Sequence, residues 1–226
     1  MGAMNKNSAI IFAGGDFSTE DMKICEEIAD INNSYIICAD KGYEYCKNLS
    51  IKPDIVIGDF DSTKEPSGDF IKETYPPQKD DTDTMLCIKK ALSLGAKKIL
   101  ILGGLGGRFD HSFANIQGLH FISNHNSQGY LIDSKHIITA IGKNTVFKLK
   151  KFSGYLSVFA LTDTVEGVSI SGCEYNADNL TIKSSFPIGV SNNIIDSYAT
   201  ISLKSGTALV VVAYAPMTND ELRMTN

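Results

Sequence analysis

The sequence lacks any apolar run approaching the roughly 20 residues needed to cross a bilayer, and no charged-then-apolar signal segment opens it. Both absences predict a soluble, cytoplasmic protein with no membrane partner. It also lacks a basic excess. Lys and Arg number 21 against 26 Asp and Glu, and the resulting net charge of -5 argues against a nucleic-acid surface. Cysteines never stand as Cys-x-x-Cys. Cys25, Cys38, Cys46, Cys87 and Cys173 are odd in number and fall mostly inside apolar patterns, so they read as reduced, buried thiols and not as a metal or redox site. Several familiar motifs are missing too. Gly-x-Gly-x-x-Gly would need glycine at 109 after Gly104 and Gly106, where Phe109 stands, and no Gly-x-x-x-x-Gly-Lys-Ser/Thr occurs. Ordinary dinucleotide and P-loop sites are thereby disfavoured. No His-x-x-x-His metalloprotease arrangement joins His111, His120, His125 and His136, and no Gly-x-Ser-x-Gly elbow marks a serine hydrolase. No internal repeat or low-complexity segment is evident.

What is present centres on Lys79 to His111. Asp80, Asp81, Thr82 and Asp83 precede Met85, Leu86, Ile88, Ala91 and Leu92, whose spacing predicts a helix with one buried face. The short Asp and Thr side chains can cap that helix, and Gly95 is a natural stop. Lys98 to Leu102 reads as a strand apolar on both faces, as in a parallel sheet covered by helices. It runs into Gly103-Gly104-Leu105-Gly106-Gly107-Arg108-Phe109-Asp110-His111. Glycines let backbone approach a ligand closely, and Arg108 offers a planar donor fork matched to phosphate oxygens.

Around this unit, strands are predicted at Ser8 to Ala13, Tyr35 to Ala39 and Ile55 to Ile57, alternating with helices over Thr19 to Ile31 and Tyr43 to Leu49. Phe70 to Tyr75 reads as extended, and a further helix is expected over Ser112 to Ser123. This alternation predicts a parallel sheet with right-handed crossovers. From about Ile137 no convincing helix remains, and strand-like runs follow at short intervals, separated by turn formers at 176 to 179 and 205 to 206. The expected architecture is therefore α/β: a parallel-sheet, Rossmann-like nucleotide domain over 1–135, then an all-β sandwich domain over 136–226.

In an open α/β sheet, ligands bind beyond the carboxyl ends of the strands. Acids stand at three such ends here: Asp40, the pair Asp59 and Asp61, and Asp110, with Asp80 and Asp83 arriving from the helix start. Each alone is an ordinary turn or cap residue. As a set they would repel, since two carboxylates about 5 Å apart cost roughly 3 kcal/mol at an effective dielectric near 20. A divalent cation removes that cost. Oxygen-only ligands beside a phosphate loop suit Mg²⁺, and Lys79 and Arg108 can meet phosphate charge. The residues thus point to Mg²⁺-dependent phosphoryl or pyrophosphoryl transfer, with a Mg²⁺-dependent phosphohydrolase or a weakly catalytic nucleotide-sensing module as alternatives.

Gly58-Asp59-Phe60-Asp61-Ser62, Lys79-Asp80-Asp81-Thr82-Asp83 and the Gly103 to His111 run, in that order, resemble the signature of the thiamine pyrophosphokinase family. The resemblance continues through Gly189-Val190-Ser191-Asn192, a stretch that by itself reads as a polar turn. It implies transfer of the diphosphate of ATP to thiamine with release of AMP, and a homodimer with sites shared between subunits. It further implies that Asp59, Asp61 and Asp83 handle Mg²⁺ and, with Arg108, catalysis. Asp40, Lys79, Asp80, Thr82, Gly104, Gly106, Gly107, Arg108, Asp110 and His111 would serve the nucleotide, while Asp83, Ser191 and Asn192 would face thiamine. Asn193 departs from the pattern, standing where bacterial relatives often have Glu.

Overall fold

Short β-branched and aliphatic runs become strands buried on both faces. In the computed structural model, which describes residues 6–60, 66–76, 78 and 80–215, Ile10, Ile11, Phe12 and the run Ile99 to Leu102 are completely buried. Each such side chain contributes about 1.5–3 kcal/mol when removed from water. The chain divides into two units between Ser134 and Lys135.

The first unit runs β1 (Ser8–Phe12), α1 (Thr19–Ile28), β2 (Ser34–Ala39), α2 (Gly42–Asn48), β3 (Ile55–Gly58), β4 (Ile71–Thr74), α3 (Asp83–Ser93), β5 (Lys98–Leu102), α4 (Phe109–Asn124) and β6 (Gln128–Ile132). Its strands are all parallel in the order β4-β3-β2-β1-β5-β6. Ser18 starts α1 with a capping box against Asp21, and Thr82 starts α3 by accepting the Met85 N–H at 3.1 Å. Gly95, at φ 84°, closes α3 through its own N–H to the Leu92 carbonyl. Apolar α1 side chains Met22 and Cys25 pack with Ile10, Phe12, Ile36 and Leu100 on one face of the sheet.

The second unit is antiparallel throughout. It comprises β7 (His136–Gly142), β8 (Val146–Lys150), β9 (Gly154–Ala160), β10 (Thr164–Ser171), β11 (Ala177–Lys183), β12 (Tyr198–Ser202) and β13 (Thr207–Tyr214). β13 pairs with both β7 and β9, while a four-stranded sheet is ordered β11-β10-β12-β8. Leu156, Val158 and Val210 from the first group meet Val165, Ile170, Ile182 and Ile201 from the second in one apolar core.

Two local expectations are corrected. The helix expected over 112 to 123 begins at Phe109, because Arg108 already takes an extended conformation and Asp110 lends first-turn negative charge. The turn expected at 176 to 179 lies largely inside β11. There Asn179 takes a left-handed conformation (φ 52°), and the pairing with β10 shifts register between Val165 and Val168 and again before Ile170, so the polar run makes a bulge and not a break. β6 extends the parallel sheet beyond the strands read from the sequence.

All five thiols are free and buried. Burial, reinforced by the nearby Glu26 carboxylate, pushes the Cys25 thiol up to about 12 from its ordinary 9.0. Below pH 9 the thiol is protonated in folded and unfolded chains alike. Between pH 9 and 12 only the unfolded chain releases the proton, so stability falls by about 1.4 kcal/mol per pH unit from this group. Urea midpoints across that window should therefore fall less steeply for Cys25→Ala than for wild type; parallel slopes would contradict the assignment.

Candidate active site

The strand order reverses between β1 and β5, and a glycine pair follows each strand, Gly14-Gly15 after β1 and Gly103-Gly104 after β5. Such a reversal leaves a crevice where the two following loops part, the general ligand position of open α/β sheets. Here the loops separate only after a close backbone approach. The Gly15 N–H donates to the Gly103 carbonyl at 2.9 Å, and a Cβ at Gly15 would stand 2.6 Å from that oxygen. The second turn needs glycine again at Gly106: φ is 81°, and a Cβ would lie 2.7 Å from the Asp16 carboxylate. Tyr45 fixes the first turn by donating its hydroxyl to the Gly15 carbonyl at 2.6 Å while stacking on Phe17. Burial first, and then Asp16, raises the pKa of that phenol. Buried Asn115 of α4 fixes the second turn through a 2.8 Å hydrogen bond to the Gly104 carbonyl.

Beyond the turns opens a cleft of about 570 Å³. It gathers Asp40, Asp59, Thr82, Asp83, Gly104, Gly106, Gly107, Arg108 and His111, nine of the residues expected from the sequence. Asp40 follows β2, Asp59 follows β3, and Thr82 and Asp83 form the start of α3, so three separate elements bring the acids to one place. Asp40 sits at φ 41° and Phe60, next to Asp59, at φ 55°. Left-handed backbone at a bulky residue such as Phe60 is costly, and strain of this kind collects at functional sites.

Other expected residues stand elsewhere. Asp80 is exposed and outside the cleft lining, because the chain turns in at Asp81 before the Thr82 cap; Asp81 lines the cleft in its place and accepts from Lys89 at 2.6 Å. Asp110 is also outside the lining. It holds Arg108 by a two-point pair, Nε to Oδ1 at 3.1 Å and Nη2 to Oδ2 at 2.5 Å. That hydrogen-bonded guanidinium keeps the Asp110 carboxyl below its ordinary range, and Arg108 is raised in turn. Both side chains are largely exposed, so the pair orients Arg108 more than it stabilises the fold. Asp61 and Lys79 lie outside the described residues.

Gly14, Gly15, Asp16, Lys41, Thr84 and Asn115 also line the cleft but were not read from the sequence as site residues. For the first three a signal existed, a second glycine pair following a strand. Asn115 gave none, since a polar residue on a helix reads as solvated until its burial is known.

As a metal site the cleft offers hard oxygen donors from Asp40, Asp59, Asp81 and Asp83, with hydroxyls of Thr82 and Thr84. No group of three or more His, Cys, Asp or Glu side chains is arranged to hold a metal ion among the described residues. That donor set fits Mg²⁺, which commonly takes one or two carboxylates and completes its shell with water and phosphate.

In the second unit the Gly189–Asn193 turn lies along β9. Val158 N–H donates to the Gly189 carbonyl at 2.7 Å, and Leu156 and Asn192 exchange backbone bonds of 2.8 and 2.9 Å. Ser191 is exposed at φ 60°, its N–H donating to Ser157 Oγ at 3.0 Å. Asn192 is buried, with its carboxamide on the Tyr175 main chain.

Two family profiles match the chain, the thiamin pyrophosphokinase catalytic domain over residues 29–131 and the thiamin pyrophosphokinase vitamin B1 binding domain over 143–208. The sequence is 29% identical over 183 residues to thiamine pyrophosphokinase of Bacillus subtilis (strain 168), covering 77% of this chain and 85% of that one. It is 27% identical over 168 residues to thiamin pyrophosphokinase 1 of Caenorhabditis elegans, covering 70% and 68%. The fold is similar to the crystal structure of thiamine pyrophosphokinase from Bacillus subtilis, with a TM-score of 0.82 and 25% identity over 92% of this chain and 100% of that one.

The glycine geometry makes a direct prediction. In Gly106→Ala the methyl group meets the Asp16 carboxylate and the backbone must hold a left-handed conformation, so the turn shifts out of register with the cleft. Nucleotide affinity, measured by calorimetry, should fall about tenfold or more while the far-ultraviolet circular dichroism stays that of wild type; unchanged affinity would show that the turn does not contact the ligand.

Proposed function

Because the chain belongs to the thiamin pyrophosphokinase family, we propose that it transfers the diphosphate group of ATP to the hydroxyl of thiamine, giving thiamine diphosphate and AMP. The carrying observation is the convergence of two glycine turns, Arg108 and the acids Asp40, Asp59 and Asp83 in one cleft. The first unit is read as a Rossmann-like nucleotide domain, since its ligand crevice stands where the strand order reverses. The second is read as the thiamine-binding and dimerisation domain. The setting is read as cytoplasmic. Among the described residues, no helix is long and apolar enough to cross a membrane.

The residues divide the work by charge. Backbone N–H groups of Gly104, Gly106 and Gly107 and the Arg108 fork take the phosphates, with His111 and, by its place in the sequence, Lys79 at their side. Asp40 serves the nucleotide's sugar, in the manner of an acid following the second strand of such sheets. Asp59 and Asp83, with Asp61, would hold Mg²⁺; bound there, it neutralises developing charge on the phosphate oxygens. Asp83 also faces the thiamine hydroxyl, orienting it for attack. In the transfer an oxygen–phosphorus bond forms between that hydroxyl and the β-phosphorus, the bond from the β-phosphorus to the bridging oxygen of AMP breaks, and the hydroxyl proton is released. Holding the reacting atoms about 3 to 3.5 Å apart supplies much of the acceleration. Asp110 acts on the nucleotide through Arg108, whose fork it holds until phosphate arrives.

Ser191 and Asn192 form the thiamine-facing turn. They belong to a different unit from the cleft, which supports a homodimer in which the thiamine turn of one subunit completes the nucleotide cleft of the other.

Incubation with ATP, Mg²⁺ and thiamine should yield AMP and thiamine diphosphate in equal amounts by chromatography. ADP with thiamine monophosphate would reject diphosphate transfer, and ADP with free phosphate would indicate a phosphohydrolase. The shared site is tested by mixing two inactive variants, Asp59→Asn and Asn192→Arg. One site of each heterodimer then carries both lesions and the other neither, so up to about half the activity per heterodimer should return as subunits exchange. No recovery, once heterodimers are seen by native mass spectrometry, would place each site within one chain.

A further inference from the structure

The Gly189–Asn193 turn is stitched down on two sides. On one side its backbone pairs with Leu156 and Val158 of β9. On the other, backbone bonds tie Gly172 to Glu174 against the chain beyond the turn, and at Tyr175 the holding group is a side chain. Asn192 Oδ1 accepts the Tyr175 N–H at 3.0 Å, and Asn192 Nδ2 donates to the Tyr175 carbonyl at 2.7 Å. A carboxamide laid flat on a peptide in this way reproduces a strand-to-strand pair, with donor and acceptor both satisfied. The pairing continues away from the turn: the Glu174 N–H donates to the Asn193 carbonyl at 2.9 Å, Asn193 Nδ2 donates to the Glu174 carboxylate at 2.9 Å, Cys173 bridges Ile194, and the Ile195 N–H donates to the Gly172 carbonyl at 3.0 Å.

Between these anchors stands Ser191, in a left-handed conformation that serine rarely adopts, with its side chain at the surface. Its own N–H is consumed by Ser157 Oγ. The two residues of the turn are thus opposite in kind: Ser191 is exposed and held in a strained conformation, whereas Asn192 is 9% exposed and faces main chain. Backbone strain at an exposed residue persists only where its surroundings fix it. The Asn192 carboxamide is the side-chain contact that fixes this one from the Tyr175 side.

We infer that Asn192 is a positioning residue that acts on thiamine only through Ser191, by clamping the turn to the Tyr175 main chain, and that it does not touch thiamine itself. The inference rests on the reading of this turn as thiamine-facing. Losing the clamp frees the turn to relax, so the Ser191 hydroxyl spends less time where thiamine needs it. The expected effect is on thiamine affinity, with ATP affinity unaltered, because the nucleotide cleft is lined by residues of the first unit.

A double-mutant cycle on the full-length enzyme separates the possibilities. Ser191→Ala and Asn192→Ala should each raise the KM for thiamine about tenfold, with the KM for ATP and kcat at saturating thiamine within about twofold of wild type. In the double variant the KM for thiamine should stay near that of either single variant, since Asn192 has nothing left to position. A double variant near a hundredfold would overturn the inference, showing that Asn192 contacts thiamine independently. An unchanged KM for thiamine in Ser191→Ala would instead overturn the reading of the turn itself. If Asn192→Ala fails to fold by near-ultraviolet circular dichroism, Asn192→Asp completes the same cycle: it keeps the shape and the acceptor for the Tyr175 N–H but sets a carboxylate oxygen against the Tyr175 carbonyl, so the same non-additivity is expected.

Discussion

The architecture of the first unit depends on how closely two stretches of backbone can approach at the point where the strand order reverses. Gly15 and Gly103 meet main chain to main chain, joined by a 2.9 Å hydrogen bond, at a separation that leaves no room for a side chain. This contact ties the loop after β1 to the loop after β5 before they part. Everything beyond it, from Asp16 on one lip to Arg108 on the other, takes its position from that junction. A looser contact would widen the cleft and carry the acids of β2 and β3 away from the glycine turn, because the parallel register links β3 to β2 and β2 to β1. Backbone amides can cradle phosphate only if their geometry is set before the ligand arrives.

The support for the two glycine turns comes from side chains that reach back to them from helices. Tyr45 reaches from α2 to the Gly15 carbonyl, and its ring stacks on Phe17, which in turn packs edge-on to Phe12 of β1. Asn115 reaches from α4 to the Gly104 carbonyl inside the protein. The first turn is therefore held from the helix that follows β2, and the second from the helix that follows the turn itself. Rigid elements and not the loops themselves set the geometry, which is how mobile segments are made precise enough for phosphate transfer.

Much of this was legible in the sequence because parallel strands buried on both faces write themselves as uninterrupted apolar runs, and because glycine and aspartate at strand ends have few structural reasons to recur together. The runs at Ile10, Ile37, Ile57 and Ile101 needed no tertiary knowledge to find. Thr82 was legible as a cap and serves as one. The misses have physical causes. Phe109 to His111 read as loop because glycine precedes them, yet a helix can begin as soon as φ and ψ permit, and Arg108 begins this one. Asn179 read as a turn residue because left-handed conformations usually end strands; here the cross-strand bonds of β10 and β11 absorb it as a bulge. Asn115, Tyr45 and Asn192 were illegible as supports, since a hydrogen bond to a distant backbone leaves no mark on local periodicity.

The charge of the cleft decides what can enter it. Among the described residues, five carboxylates, those of Asp16, Asp40, Asp59, Asp81 and Asp83, line a space whose lining Lys and Arg residues are Lys41 and Arg108. Part of the imbalance is relieved locally, as Lys89 pairs with Asp81 and the start of α3 presents its positive end to Asp83. At α4 the N-cap residue Arg108 makes no capping bond, and the His111 N–H of the first turn already donates to Asp110 Oδ1 at 3.0 Å. Arg108, however, is already engaged by Asp110. A bare triphosphate would thus add several negative charges to a site with an acidic excess and would also have to win Arg108 from its partner. A nucleotide that arrived with a divalent cation would avoid the first obstacle: the cation would take the carboxylates, leaving less phosphate charge to face the glycine amides and the arginine fork. This balance is the physical ground for proposing that Asp59, Asp61 and Asp83 hold Mg²⁺ together with the nucleotide and not ahead of it, the acids drawing in the metal that makes the phosphates tolerable beside them.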